Sequence, residues 1–202
     1  MPSIRTIAHR ATSIVVSVLV VGCGSANTTN ETPYADSGAG APVVVSAIDK
    51  AYFQSVPDMA AAAELIVVGQ VTKVSLASSP VGAAEGEDSF PQMALNTVAV
   101  TKVIKGPSVD EIVVGQYSFE WVAGELRDVA LDGLLPSREG DTVLLFLVAA
   151  PESEWEWEAV SLDGMLWLKG DSIISTILPG RFASSLNGRP LDTVLAEVAK
   201  AD

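Results

Sequence analysis

Four glutamates stand at every second position of "ESEWEWEA": Glu152, Glu154, Glu156 and Glu158, with Trp155 and Trp157 between them. In extended chain, alternate side chains share a face at about 6.8 Å, close to the spacing of a glycosidase carboxylate pair. Such a pair, however, flanks the scissile bond from opposite sides of a cleft, and one member stays protonated in a poorly solvated pocket. Neighbours on one strand point the same way into water. The four glutamates therefore read first as a solvated acidic face that also discourages edge-to-edge strand pairing. A second acidic cluster, Glu85, Glu87 and Asp88 in "EGED", offers oxygen to calcium but lacks the spaced ligands of an EF-hand loop. No metal and no cofactor is expected.

Tryptophan supplies the remaining recognition chemistry. Trp121, Trp155, Trp157 and Trp167 are the candidate binding residues. Grouped on a barrel surface they would stack against sugars, peptides or cations; buried, they would be the largest pieces of core. Both readings stand at the level of sequence. Arg127, Arg138, Arg181 and Arg189 are scattered through connections and read as solvated loop charges.

The single cysteine, Cys23, sits where an apolar run gives way to small and polar residues, "VLVVGCGSANTTN". Arg5 and Arg10 precede the uncharged stretch from Ala11 to Val21, the layout of a secretory signal. The run is too short for the ~20 residues that cross a hydrocarbon core, so removal is expected rather than a permanent span. Val20-Val21-Gly22-Cys23 resembles the bacterial lipobox. The resemblance implies cleavage between Gly22 and Cys23 and a diacylglycerol on the Cys23 thiol. Two acyl chains hold a protein firmly where one gives marginal anchoring. The expected location is the extracytoplasmic face of the cell membrane, or the outer membrane if the host has one.

Processing at that point removes His9, the one histidine, together with Arg5 and Arg10 and no acidic residue. The mature charge is then more negative than the −13 of the whole sequence. This argues against nucleic acid, which requires clustered Lys and Arg, and leaves membrane contact to the lipid on Cys23. With no histidine and no free thiol, neither Ser-His-Asp nor Cys-His catalysis can be assembled, and zinc sites of His and Cys are equally excluded. No G-x-S-x-G, S-x-x-K, P-loop or Rossmann pattern is present. A non-enzymatic protein is expected.

The elements that must position these residues follow from periodicity. Residues 1–22 form the signal peptide, 23–45 a flexible tether rich in Gly, Ser, Thr and Asn, and 46–202 a single β-rich domain. "SVPDMAAAA" has a capping serine and an early proline before an alanine run, which predicts a short helix. Strands are expected over Glu64 to Leu76, bent at Gly69, over Met93 to Gly106, and over "DEIVVGQYSFEW", with Gly115 as a second bend. Residues 77–91 and 123–141 read as connections. "TVLLFLVAA" is apolar on both faces, as a fully covered strand should be. "ESEWEWEAVSL" alternates as a half-buried strand, and Asp163-Gly164 predicts a hairpin into "MLWLKG". Leu191, Val194, Leu195 and Val198 form the stripe of an amphipathic C-terminal helix.

The succession "AELIVVGQVTKV", "TVAVTKVIKG", "EIVVGQ" and "REGDTVLLFLV" resembles a recurrent bacterial exported domain, similar in outline to the netrin and tissue-inhibitor-of-metalloproteinase group of OB-type barrels. The expected fold is mainly β: a small OB-like five-stranded barrel with a short N-terminal helix and a C-terminal amphipathic helix. In the metalloproteinase inhibitors a free N-terminal cysteine on the barrel binds the protease zinc. Cys23 lies far from the first strand and no disulfide can form, so that mechanism is not carried over. The function expected is a lipid-anchored binding or interaction module of the cell envelope, with an envelope protein or glycan as partner. The alternatives are a carboxylate-dependent hydrolase of envelope glycans and a passive structural lipoprotein.

Overall fold

The structure, a computed structural model, describes residues 43–45, 52–78, 89–151, 153–177 and 179–201. In chain order its elements are β1 (Val43–Val45), α1 (Val56–Ala62), β2 (Leu65–Leu76), β3 (Ser89–Lys105), β4 (Glu111–Val122), β5 (Glu125–Leu131), β6 (Thr142–Ala149), β7 (Trp157–Ala159), β8 (Met165–Lys169), β9 (Ser172–Ile174) and α2 (Leu191–Val198), with 3₁₀ turns at Leu162–Gly164 and Phe182–Leu186.

Five strands close on themselves. β2 pairs antiparallel with β3 and β6, β3 with β4, and β6 with β7. The short β7 then runs parallel to β4, Val114 opposite Trp157, and completes the ring β2-β3-β4-β7-β6. The result is a closed, OB-like barrel, mainly β, with a helix near each end, as expected. Bending β2 around the ring requires a glycine: a Cβ at Gly69 would meet Ala99 O and Val98 Cγ1 at 2.6 Å, and the β2–β3 register shifts there.

The run on β6 that is apolar on both faces serves two cores. Val143, Leu145 and Leu147 join Leu65, Val67, Val98, Ile112, Val114 and Trp167 in one cluster, the filling of the barrel. Leu144 and Phe146 point the other way, with Ile66 and Val68, into a second cluster closed by Met59 of α1 and by Val194 and Val198 of α2. Full burial of a side chain such as Phe146 contributes about 1.5–3 kcal/mol, so covering the outer face of β2 and β6 is what fixes both helices. α1 starts where expected, with the Ser55 hydroxyl accepting from Asp58 N at 3.2 Å.

Four expectations are corrected. Residues 123–141 are not all connection, because β5 folds back on β4 there. Ala123 (φ 51°) and Gly124 (φ 81°) make the two-residue turn, both in the left-handed region that suits strand twist, and Ala-Gly lacks the usual Asn-Gly or Asp-Gly signature. Val43–Val45, assigned to the tether, pair in parallel with β5. Asp163-Gly164 lies in a 3₁₀ turn capped by the Ser161 side chain, not in a hairpin. β8 accordingly pairs with β6, which divides one edge between β7 and β8. Lastly, among its described residues the alternating "ESEWEWEA" is strand only at Trp157–Ala159. Alternation sets which way side chains point, but among the described residues of this stretch only those three pair in register with β6 or β4.

Residues 1–22, expected as the signal and including Gly22, and Cys23, the expected lipidation position, lie outside the described residues, as do Glu85, Glu87, Asp88 and Glu152. Among the described residues no helix is long and apolar enough to cross a membrane.

Candidate functional site

The connection from β6 to β7 is a strap laid along β4. Ser153 N donates to Ala150 O at 3.1 Å, Ala150 N to Glu156 O at 2.9 Å and Glu156 N to Val113 O at 3.2 Å. The strap is fastened at its middle, where the Glu154 carboxylate accepts from Ser78 N at 2.8 Å and from Ser78 Oγ at 2.5 Å. Ser78 follows β2, at the start of the β2–β3 connection. The strap is therefore tied to the residue that leads out of β2.

Between those fixings Trp155 lies on the backbone of β4. A Cβ at Gly115 would stand 2.5 Å from Cε2 and 2.6 Å from Cδ2 and Nε1 of the indole. Near-equal distances to three ring atoms mean the ring sits face-on. Gly115, expected as a bend, is thus a seat for an aromatic ring. The indole Nε1 is buried, with no hydrogen-bond partner among the described residues. Tyr117 follows Gly115 by two residues on β4. Burial pushes its phenol up to about 12, with the nearby Glu120 charge adding to the effect.

The other tryptophans are dispersed. Trp167 is 6 % exposed in the barrel core, and its Nε1 donates to Asp141 Oδ2 at 3.2 Å. Trp157 is half-buried against the same core cluster. Trp121 stands six residues beyond Gly115 on β4, about 20 Å along an extended strand. There its ring meets Phe90 at 6.2 Å and its Nε1 donates to Gln92 Oε1 at 3.3 Å. The four do not form one patch: Trp167 is core, and Trp155 is the one that overlies the strand face.

Among the described residues, Glu154, Glu156 and Glu158 do not line up on one strand, since the chain bends through 153–156. Glu154 is engaged by Ser78, while Glu156 and Glu158 are exposed. Among the described residues no three His, Cys, Asp or Glu side chains come together to hold a metal ion. Arg127, Arg138 and Arg189 make exposed or half-exposed ion pairs with Glu125, Asp128 and Glu197. Arg181 is not a solvated loop charge. Its side chain is 8 % exposed and bridges Asp163 at 3.2 Å and Asp132 at 3.6 Å, with the Tyr52 ring 5.1 Å away. Asp163 also accepts from Ala183 N at 2.9 Å, so this cluster pins the second 3₁₀ turn to the first.

In chain order the barrel strands are β2, β3, β4, β6 and β7, so β3 and β4 are the second and third. OB barrels commonly take ligands on the face of those two strands, between the first-to-second and fourth-to-fifth connections. Here those connections are the one beginning at Ser78 and the strap bearing Trp155. Sequence reasoning named Trp155 and Gly115 separately; their contact was not visible because forty residues separate them in the chain. Comparison with family models and with curated proteins finds no match for the chain.

Proposed function

We propose that the chain is a lipid-anchored, extracytoplasmic binding module of the cell envelope, non-enzymatic, which captures an envelope protein or glycan on the outer face of β3 and β4. The observation that supports this reading is Trp155 seated on Gly115, carried by a strap that Glu154 ties to Ser78. An aromatic ring held on the usual ligand face of an OB barrel is a stacking platform, and the acidic composition disfavours nucleic acid as the partner. The lipid on Cys23 supplies the membrane contact.

The test is crosslinking of the full chain in its native envelope, with parent, Trp155→Ala and Trp121→Ala compared. A partner captured by the parent and by Trp121→Ala, but lost with Trp155→Ala while the fold is retained, is the expected result. Turnover of a cell-wall polymer that disappears in Glu156→Gln would replace this reading with the hydrolase. Absence of any captured partner would leave a passive lipoprotein. Mass spectrometry of the parent and of Cys23→Ser tests the anchor: the parent should begin at an acylated Cys23, and Cys23→Ser should keep its leader.

A further inference from the structure

The inside of the barrel changes character along β3 and β4. Val98, Ile112 and Val114 give way to Asn96 and Ala94 on β3 and to Gln116 and Ser118 on β4, all buried. The segment 134–137 closes this end. Leu134 joins the apolar core, Gln116 Nε2 donates to Leu135 O at 2.9 Å, and Ser137 N donates to Gln116 Oε1 at 3.1 Å. Asn96 Nδ2 donates to that same Gln116 oxygen at 3.1 Å. These bonds engage both ends of the Gln116 amide and leave three other oxygens over.

Asn96 Oδ1, Ser118 Oγ and Ser137 Oγ are buried with no hydrogen-bond partner among the described residues. Their residues are only 1 %, 0 % and 3 % exposed. They surround one side chain: Asn96 and Ser137 meet at Gln116 Oε1, and Ser118 follows Gln116 by two residues on β4. Three dry, unpaired groups would consume a large part of a domain's net stability. None of these side chains ionises, so a charged partner buried among them would have no counter-charge here, and an uncharged one is favoured. Asn96 Oδ1 can only accept and needs a donor, while each serine hydroxyl also carries a proton that needs an acceptor, so a partner that both donates and accepts serves all three. Water has that combination and needs two to four polar neighbours to remain inside a protein.

We propose that ordered water is built into this closed end of the barrel, held by Asn96 Oδ1, Ser118 Oγ and Ser137 Oγ, and completes the seam that holds segment 134–137. The seam beyond Leu134 is then sealed by hydrogen bonds rather than by apolar packing. The experiment is a crystal structure of the full chain at a resolution that reveals ordered water, joined to chemical denaturation of Ser118→Ala and Ser137→Ala. Water within hydrogen-bond distance of at least two of the three oxygens, with the folded-to-unfolded ratio falling roughly fivefold or more in each variant, is the expected result. An empty region, an organic molecule in place of water, or alanine variants as stable as the parent would overturn the proposal. Deleting a dry, unpaired hydroxyl removes a penalty, whereas deleting a hydrated one removes a bond. Should a variant fail to fold, the density in the parent decides alone.

Discussion

The Trp155 indole lies face-on against Gly115, so close that a Cβ at residue 115 would sit 2.5 Å from the ring. This contact couples a connection to a central barrel strand through van der Waals packing, since the indole nitrogen has no hydrogen-bond partner among the described residues. Because residue 115 is ordinary strand backbone, only the missing side chain makes glycine necessary there.

Gly115→Ala should therefore force the strap off β4. Overpacking of this kind costs about 1–3 kcal/mol, read as a lower urea midpoint and an altered tryptophan fluorescence spectrum. In a Trp155→Ala background the same change should be neutral or stabilising, because a glycine inside a strand is itself a weak point. A double-mutant cycle isolates the coupling. Additive effects would show that the ring and the strand backbone do not touch in solution.

The hook between Ser78 and Glu154 is exposed, and exposed charge-bearing contacts contribute at most about 1 kcal/mol. Glu154→Ala should leave the global unfolding midpoint nearly unchanged while speeding amide exchange at Glu156, whose N–H donates to Val113 O. Unchanged exchange would mean that Trp155 alone holds the strap.

The barrel itself was legible because its strands carry long patterned runs: Leu65–Leu76 with the break at Gly69, and Thr142–Ala149, apolar on both faces because a core lies on each side. β5 was not, because a turn of Ala123 and Gly124 carries little composition signal and Glu125 and Arg127 give the strand a polar look. The closing strand was overread. Its strict alternation runs from Glu152, but among the described residues of the stretch only Trp157–Ala159 pair in register with barrel strands. The site was half legible: Trp155 stood out by type, whereas Gly115, Ser78 and the buried amides Asn96 and Gln116 gain their meaning from contacts distant in the chain. Arg181 misled for the same reason, since Asp132 and Asp163 reach it only in the folded state.

Arg181 and Asp163 are both almost fully buried, at 8 % and 1 % side-chain exposure. Removing one member of such a pair strands the other charge, at a cost of about 3–5 kcal/mol. Arg181→Met should accordingly lower the thermal midpoint steeply. Asp163→Leu combined with Arg181→Met should recover part of the loss, because Asp163, the more deeply buried of the two carboxylates that Arg181 bridges, is then removed as well. A double variant no more stable than Arg181→Met would show that the Asp163 bond to Ala183 N dominates this corner instead.

Tyr117 makes alkaline stability depend on one phenol. Burial, then the charge of Glu120, raises its folded pKa to about 12, against about 10 for an unperturbed tyrosine. Between those two values the folded state binds more protons than the unfolded state, so stability falls as pH rises. The contribution is fully present below about pH 10 and is lost as pH passes about 12. An ultraviolet titration should show a phenolate step near pH 12 that disappears in Tyr117→Phe. Denaturation midpoints of that variant should also fall less steeply than those of the parent over the same window. A parent titration lacking the late step, or an unchanged slope in Tyr117→Phe, would mean that the outer face of β4 around Tyr117 is wet, which would weaken the case for a platform there.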